Sequence, residues 1–295
     1  MHNETYEPLV SVIVPTYKRK NKLLNCINSI IGNTYENIEI IVINDDPSED
    51  ISEFLKIYQV ILVQNKKENL AAGCRNLGAQ IAKGDILFFV DDDNILRENT
   101  ILQLVKTYLL LDKPGFIGPV MYNSNGEIWF YGARTNWISI MPKPVDISEL
   151  KKDLIETDVI PNAYLVSAEL YRNIGMEDES LAIFHEEFDL AIRLKLSGYK
   201  SYITTKAVIT HDYGSLDQHL DSMRIYINFR NILLVERRYA PRPRFILFCF
   251  NYIRFSLYYF MYKIPVRLKG ETKITYYKSC IRGIAEGLFS NPFAK

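Results

Sequence analysis

Cysteine is sparse in this chain, and the four that occur, Cys26, Cys74, Cys249 and Cys280, form no C-x-x-C pair or regular spacing. That excludes a disulfide-stapled scaffold or a zinc ribbon and fits a reducing cytoplasm. No internal repeat or low-complexity tract is visible, which removes solenoids. The opening residues, Met-His-Asn-Glu-Thr-Tyr-Glu-Pro, lack the basic and apolar regions of a signal peptide, so the expected location is the cytoplasm. Glycine is missing where a phosphate loop would need it, because Thr16-Tyr17-Lys18-Arg19-Lys20 follows the first apolar run. Nor is there an uninterrupted apolar run of membrane length. Residues 245–262 come nearest, but Asn251, Arg254 and Ser256 break them. An arginine near the centre of a span costs about 2.5–3.5 kcal/mol, so a full span is disfavoured.

With 48% hydrophobic content in 295 residues, the chain can bury one large α/β core and an appendage. Its formal net charge is zero but unevenly spread: residues 236–295 carry 12 Lys/Arg against 3 Asp/Glu, and the first 235 carry 23 against 32. Two parts are expected. Residues 1–235 hold the chemistry, and residues 236–295 form a basic, aromatic, helical tail suited to an anionic membrane surface or to a second subunit. Nucleic acid, the competing anionic partner, leaves none of its usual signatures.

Hydrophobic patterning predicts strands over Val10–Pro15, Glu39–Ile43, Val60–Val63, Ile160–Ala168 and Ser201–Thr210, with a further apolar strand ending at Asp91. Helical spacing covers Lys22–Ile31, Ala71–Ala82, Phe184–Ser197 and Tyr226–Arg238. Residues 116–158, rich in Gly, Pro, Asn and aromatics, read as irregular strands and loops over one face. The alternation implies βαβ units with right-handed crossovers, hence an α/β fold with a mostly parallel central sheet flanked by helices.

The most informative segment is Gly84 to Asn94, where a buried-strand pattern ends in Asp91, Asp92 and Asp93. The carboxyl ends of strands are where open α/β sheets bind ligands, and clustered carboxylates there need a cation or a donor-rich ligand. A divalent metal holding a phosphorylated substrate would serve; a solvated loop or helix cap is the structural alternative. Pro15, Thr16 and Tyr17 after the first strand and Asn44, Asp45 and Asp46 after the second share that edge, as a nucleotide-sized crevice or as ordinary turn residues. Arg75 precedes the acidic strand, positioned to reach a pyrophosphate or to pair with a carboxylate of the cluster. Further on, Glu186, Glu187 and Asp189 open a helix, where acids favour the dipole but where a general base is also at home. His211 ends a strand before Asp212-Tyr213-Gly214, as a nitrogen ligand to a metal or as a structural residue.

In this order the segments resemble the inverting glycosyltransferases of family 2, which have the GT-A fold. Val10 to Tyr17, Asn44 to Ser48, Asn69 to Ala79, the D-x-D-like Asp91-Asp92-Asp93, and Glu186-Glu187-Phe188-Asp189-Leu190 with Arg193 and Gly198-Tyr199 carry the resemblance. It implies a nucleotide-diphosphate sugar donor, with Asp45 at the base and Asp92 at the ribose or the metal; Pro15, Thr16, Tyr17, Arg75 and Asp91, at the same edge, complete the expected donor-binding set. It also implies a divalent metal, Mn2+ or Mg2+, on Asp93 and His211, and Glu187 as catalytic base. Lys18, Asn44 and Glu187 depart from the family's usual Asn, Asp and Asp, so Glu186 remains a second candidate for the base. The spacing Tyr226…Arg230-Asn231 leans toward the rhamnosyltransferase-like branch. The acceptor implied is a glycan or lipid-linked precursor, handled by an enzyme peripheral on the inner face of the membrane. Two rivals are a sugar-phosphate nucleotidyltransferase, against which the missing glycine loop counts, and a degenerate GT-A scaffold, against which both acid groups count.

Overall fold

The computed structural model describes residues 7–135, 142–212, 222–258 and 273–292. Its first part alternates as β1 (Val10–Thr16), α1 (Lys20–Ile31), β2 (Ile38–Asn44), α2 (Ser52–Leu55), β3 (Val60–Gln64), α3 (Leu70–Ile81) and β4 (Ile86–Val90). Next come β5 (Asn94–Leu96), α4 (Thr100–Leu110), β6 (Ile117–Asn123), β7 (Ile128–Phe130), β8 (Ala133–Arg134), β9 (Lys143–Pro144) and β10 (Leu154–Thr157). The chain continues through β11 (Ala163–Ser167), α5 (Ala168–Asn173), α6 (Glu186–Leu196), β12 (Ser201–His211), α7 (Ser222–Tyr239), α8 (Arg242–Tyr258) and α9 (Lys273–Phe289).

The main sheet runs β10-β12-β6-β11-β4-β1-β2-β3. Strands β4, β1, β2 and β3 are mutually parallel, β12 is parallel to β6, and β11 is antiparallel to both its neighbours. Side chains alternate across a strand, so β1 divides its residues between two cores. Val10, Val12 and Val14 meet Leu23 and Ile27 of α1 and Leu104 of α4. Ile13 joins Ile41 and Phe89 against Cys74 of α3 and Leu190 and Leu194 of α6. Because helices cover both faces, the central strands read as continuous apolar runs.

Three elements differ from the pattern reading. The segment expected to be irregular contributes β6, a strand inside the sheet. Gly118 and Pro119 disguise it, and a side chain at 118 would come within 2.7 Å of Ile203 and 3.0 Å of Pro161. β11 starts at Ala163 rather than Ile160, after Pro161. Helix α6 starts at Glu186 because Phe184 and His185 sit at φ 67° and 68°, which no helix accepts.

Helix α7 runs through residue 235 and touches both parts of the chain. Leu234 and Val235 pack on Leu181, whereas Phe229 and Leu233 join Phe248, Tyr252, Tyr276 and Cys280 of α8 and α9. Close approach of α9 to α7 requires Gly283 and Gly287, where a Cβ would lie 2.5 Å from the Tyr226 carbonyl oxygen and 2.7 Å from Leu233 Cβ respectively. Among the described residues no helix is long and apolar enough to cross a membrane. Tyr213, Gly214, residues 259–262 and the flanking Lys263, Arg267 and Lys269 lie outside the described residues.

Candidate active site

The acidic turn comes directly after β4, and strand register decides what faces it. β11 pairs Ala163 with Val90, which brings the preceding Asn162 to Asp91. β5 pairs antiparallel with the end of β12, Asn94 opposite His211, which brings the imidazole to Asp93. Asn162 Nδ2 donates to Asp91 Oδ2 at 3.1 Å, and His211 Nε2 lies 3.3 Å from Asp93 Oδ1. The exposed Trp129 of β7 sets its ring edge-on to His211, 4.7 Å between centroids.

The three aspartates have different surroundings. Asp92 is wholly buried; its Oδ2 accepts from Thr16 Oγ1 at 2.6 Å and its Oδ1 lies 2.6 Å from Arg19. Burial pushes its carboxyl up to about 7 against the pull of Arg19. Asp93 receives Arg19 Nη1 on Oδ2 at 2.8 Å. Burial raises its pKa, but His211, Arg19 and Lys22 outweigh that and hold it below the usual carboxylate range. Asp91 is the most solvent-accessible of the three, and burial still raises it despite Arg75.

Arg75 lies inside the protein, its side chain 2% exposed. Its guanidinium meets four carboxylates: Asp91 at 3.0 Å, Glu177 at 3.4 Å, Glu186 at 3.1 Å and Glu187 at 3.0 Å. In this structure it faces carboxylates, where the sequence also left a pyrophosphate open. Glu177 and Glu186 are buried with it, whereas Glu187 keeps 18% of its side chain exposed. Burial pushes Glu177 up to about 7. Burial and the neighbouring Glu187 push Glu186 well above the carboxylate range, and its Oε2 has no hydrogen-bond partner among the described residues.

Directly after β2, Asp45 spends its carboxylate within the protein. Oδ1 accepts from Asn65 Nδ2 and the Asn69 N–H, and Oδ2 from the Leu70 N–H, at 2.7–2.8 Å. Those bonds hold the entry to α3, where Leu70 sits at φ 58°. Pro15 is half-buried, and Tyr17 is exposed with its hydroxyl donating to Glu68 at 2.9 Å.

The loop that delivers α6 is pinned from α7. Asn231 Nδ2 donates to the carbonyls of Leu181, Ile183 and Phe184, and Arg230 to that of Ser180. Asp189 is fully engaged by Arg193, Arg238 and Tyr239 at 2.7–2.9 Å, a brace between α6 and α7. Of the three helix-opening acids, Glu187 is thus left open to solvent.

Among the described residues no three His, Cys, Asp or Glu side chains form a ready-made metal cage. Mg2+-type ions, however, bind through one or two carboxylates completed by substrate phosphates, with ligands about 2.1 Å away and so about 3.0 Å from one another. Asp93 Oδ1, buried without a normal hydrogen bond and 3.3 Å from His211 Nε2, fits that requirement. Both polar side-chain atoms of Asn94 and the Oδ1 of Asn162 are also buried with no hydrogen-bond partner among the described residues. Arg19, Glu177, Asn162 and Trp129 escaped sequence reasoning. Only Arg19 had a signal, its place two residues after the first strand's Pro-Thr-Tyr.

A Rossmann-like half-sheet with acids at its carboxyl edge and a second acid group on a neighbouring helix defines a mixed α/β protein whose mostly parallel sheet is flanked by helices. The sequence matches the family model for glycosyl transferase family 2 over residues 11–175, more than half of the chain, and the chain belongs to that family. Glu186, Glu187 and His211 lie beyond the matched stretch. Glycosyltransferase GlyG of Streptococcus pneumoniae serotype 4 is 33% identical over 131 residues, 42% of this chain and 43% of GlyG. The Escherichia coli UDP-Glc:alpha-D-GlcNAc-diphosphoundecaprenol beta-1,3-glucosyltransferase WfaP is 37% identical over 89 residues, 29% of this chain and 36% of WfaP. The chain thus spans less than half of either relative. A crystal structure of GalNAc-T7 with UDP, GalNAc and Mn2+ shares the fold, with a TM-score of 0.63 at 18% identity over 78% of this chain and 48% of that one.

Proposed function

We propose that the chain is an inverting glycosyltransferase that moves a sugar from a nucleoside-diphosphate donor to an acceptor hydroxyl, with Glu187 as general base. One observation carries this reading: of the carboxylates gathered on Arg75, Glu187 is the helix-borne one that keeps an exposed face, while its buried neighbour Glu186 is driven toward the protonated form. A base must be ionised and must reach the acceptor. Glu187 takes the hydroxyl proton as the acceptor oxygen bonds to the anomeric carbon. The bond to the donor phosphate breaks, its electron pair leaves with the diphosphate, and configuration inverts.

Asp93 and His211 would hold a divalent cation, Mn2+ or Mg2+. Bound there, it would stabilise charge developing on the departing diphosphate. Thr16 and Arg19 support the acidic turn, and Pro15, Tyr17, Asp45, Asp91 and Asp92 border the donor.

The WfaP name supports a UDP-sugar donor and a lipid-linked acceptor as first candidates. A membrane-side location accords with α8, whose Ile246, Phe250 and Ile253 are exposed at helical spacing beside exposed Arg242 and Arg254. On this reading residues 1–235 are the catalytic part and 236–295 the membrane-surface or subunit-contacting part. The test is a thermal-shift screen of nucleotide sugars with and without Mn2+, then transfer assays on the hits. A true donor at about 100 times its dissociation constant stabilises the fold by about 2.7 kcal/mol. Donor binding without transfer to any glycan or lipid-linked acceptor would favour the scaffold reading, and incorporation of a sugar phosphate into a nucleotide sugar would favour the nucleotidyltransferase.

A further inference from the structure

Asp92 and Asp93 are adjacent carboxylates with side-chain exposures of 0% and 6%, and one guanidinium serves both. Arg19 Nη2 lies 2.6 Å from Asp92 Oδ1 while Nη1 lies 2.8 Å from Asp93 Oδ2. The planar fork of arginine suits this bridge, and a lysine has only one point charge to offer. Arg19 reaches across from the turn between β1 and α1, where the preceding Lys18 is held at φ 58°. A residue with a Cβ adopts that conformation at a cost, so this turn has a strained backbone directly before Arg19. The Arg19 side chain is 33% exposed, whereas the acids it bridges are buried.

We propose that Arg19 is a resident counter-ion of the acidic turn, exchanged for the divalent cation when donor binds. The inference rests on the reading of Asp93 as a metal ligand. A guanidinium within hydrogen-bonding distance of Asp93 repels a dication on the same carboxylate, and the low dielectric of a buried turn sharpens that repulsion. Metal alone therefore binds weakly. A nucleoside diphosphate changes the balance, because its oxygens give the withdrawn guanidinium a bidentate anionic partner. Metal and diphosphate then bind cooperatively, and by linkage each raises the affinity of the other equally. Arg19 is on this account a positioning residue that orders the loading of the site and keeps Asp92 and Asp93 compensated before substrate arrives.

The experiment titrates Mn2+ into the full chain and monitors free ion by electron paramagnetic resonance, with and without UDP, for wild type, Arg19→Gln, Arg19→Lys and Asp93→Asn. Arg19→Gln should bind Mn2+ alone roughly tenfold tighter than wild type, equivalent to about 1.4 kcal/mol, and should gain less from added UDP. In chelator it should melt below wild type, because the acids have lost their counter-ion. Arg19→Lys should fall between the two. Equal or weaker Mn2+ binding by Arg19→Gln, with binding abolished in Asp93→Asn, would overturn the counter-ion role and leave the metal site standing. Mn2+ binding by none of the proteins, with or without UDP, would remove the metal site and this inference with it.

Discussion

Replacing Arg75 with methionine separates two roles that the amino-acid sequence alone left open. The guanidinium is 2% exposed and lies 3.0–3.4 Å from Asp91, Glu177, Glu186 and Glu187. Methionine restores most of the volume but none of the charge, and removing one partner of a buried ion pair costs about 3–5 kcal/mol. In a chain of 295 residues, an unfolding entropy of about 2.1 cal/mol/K per residue makes that a fall in Tm of roughly 5–8 °C. The loss should grow with pH. Glu177 and Glu186 already titrate above ordinary glutamates, and without Arg75 they rise further, so at pH 6 they escape part of the repulsion by holding protons. Differential scanning calorimetry at pH 6 and pH 8, with Arg75→Lys alongside, measures both effects. Were Arg75 chiefly a pyrophosphate contact, Arg75→Met would weaken donor binding and leave Tm within about 1 °C of wild type, which would refute its assignment as an internal hub.

Three further outcomes are expected. Glu187→Gln should lower transfer by roughly 100-fold or more with little change in donor affinity; full loss in Glu186→Gln with near-normal Glu187→Gln would move the base to Glu186. For Glu177, raised by burial from an ordinary value of 4.5 to about 7, the folded chain holds a proton that the unfolded chain has released between those pH values. Its contribution is fully present below about pH 4.5 and is lost toward pH 7, on the order of 3 kcal/mol in all, so Glu177→Gln should flatten the fall of Tm over that window. An unchanged slope would exclude Glu177 as its source. The intact protein should co-sediment with anionic liposomes in a salt-sensitive manner and a chain ending at Tyr239 should not; equal sedimentation of the two would assign the tail to a subunit or domain contact.

The parts of the fold that pattern reasoning located are those whose burial leaves a one-dimensional trace. β1, β2 and β4 are covered on both faces, so each is an apolar run ended by polar residues, and α1 and α3 show helical spacing against them. β6 lies inside the sheet, but Gly118-Pro119 within it has the composition of a turn, and its strand character comes from pairing with β12 and β11, with Ile203 and Pro161 occupying the space a side chain at 118 would need. β5 has three residues and exists through its pairing with β12, so no local signal marks it. Yet β5 is what carries His211 to Asp93.

The acids of the site were readable for the same reason: strand ends and a helix start are local features, and Asp91 to Asp93 and Glu186-Glu187 mark them. Their cations were only partly so. The pairing of Arg75 with the acidic turn was one of two readings its place in the sequence offered, but only closure of the chain brings it Glu177 from 102 residues away and Glu186 from 111 in addition to Asp91 from 16. That closure has a chemical consequence. Asp91, on the turn proposed to face the donor, and Glu187, on the helix that bears the proposed base, share one guanidinium. A charge arriving near Asp91 changes the competition for Arg75 and so changes how tightly Glu187 is held. If donor binding draws Arg75 toward Asp91, Glu187 is released toward the acceptor at the step where its basicity is needed. A double-mutant cycle between Asp91→Asn and Glu187→Gln on donor affinity measures that link. A coupling on the order of 0.5–3 kcal/mol is expected for residues sharing a buried partner, and strict additivity would mean that the two acid groups act independently.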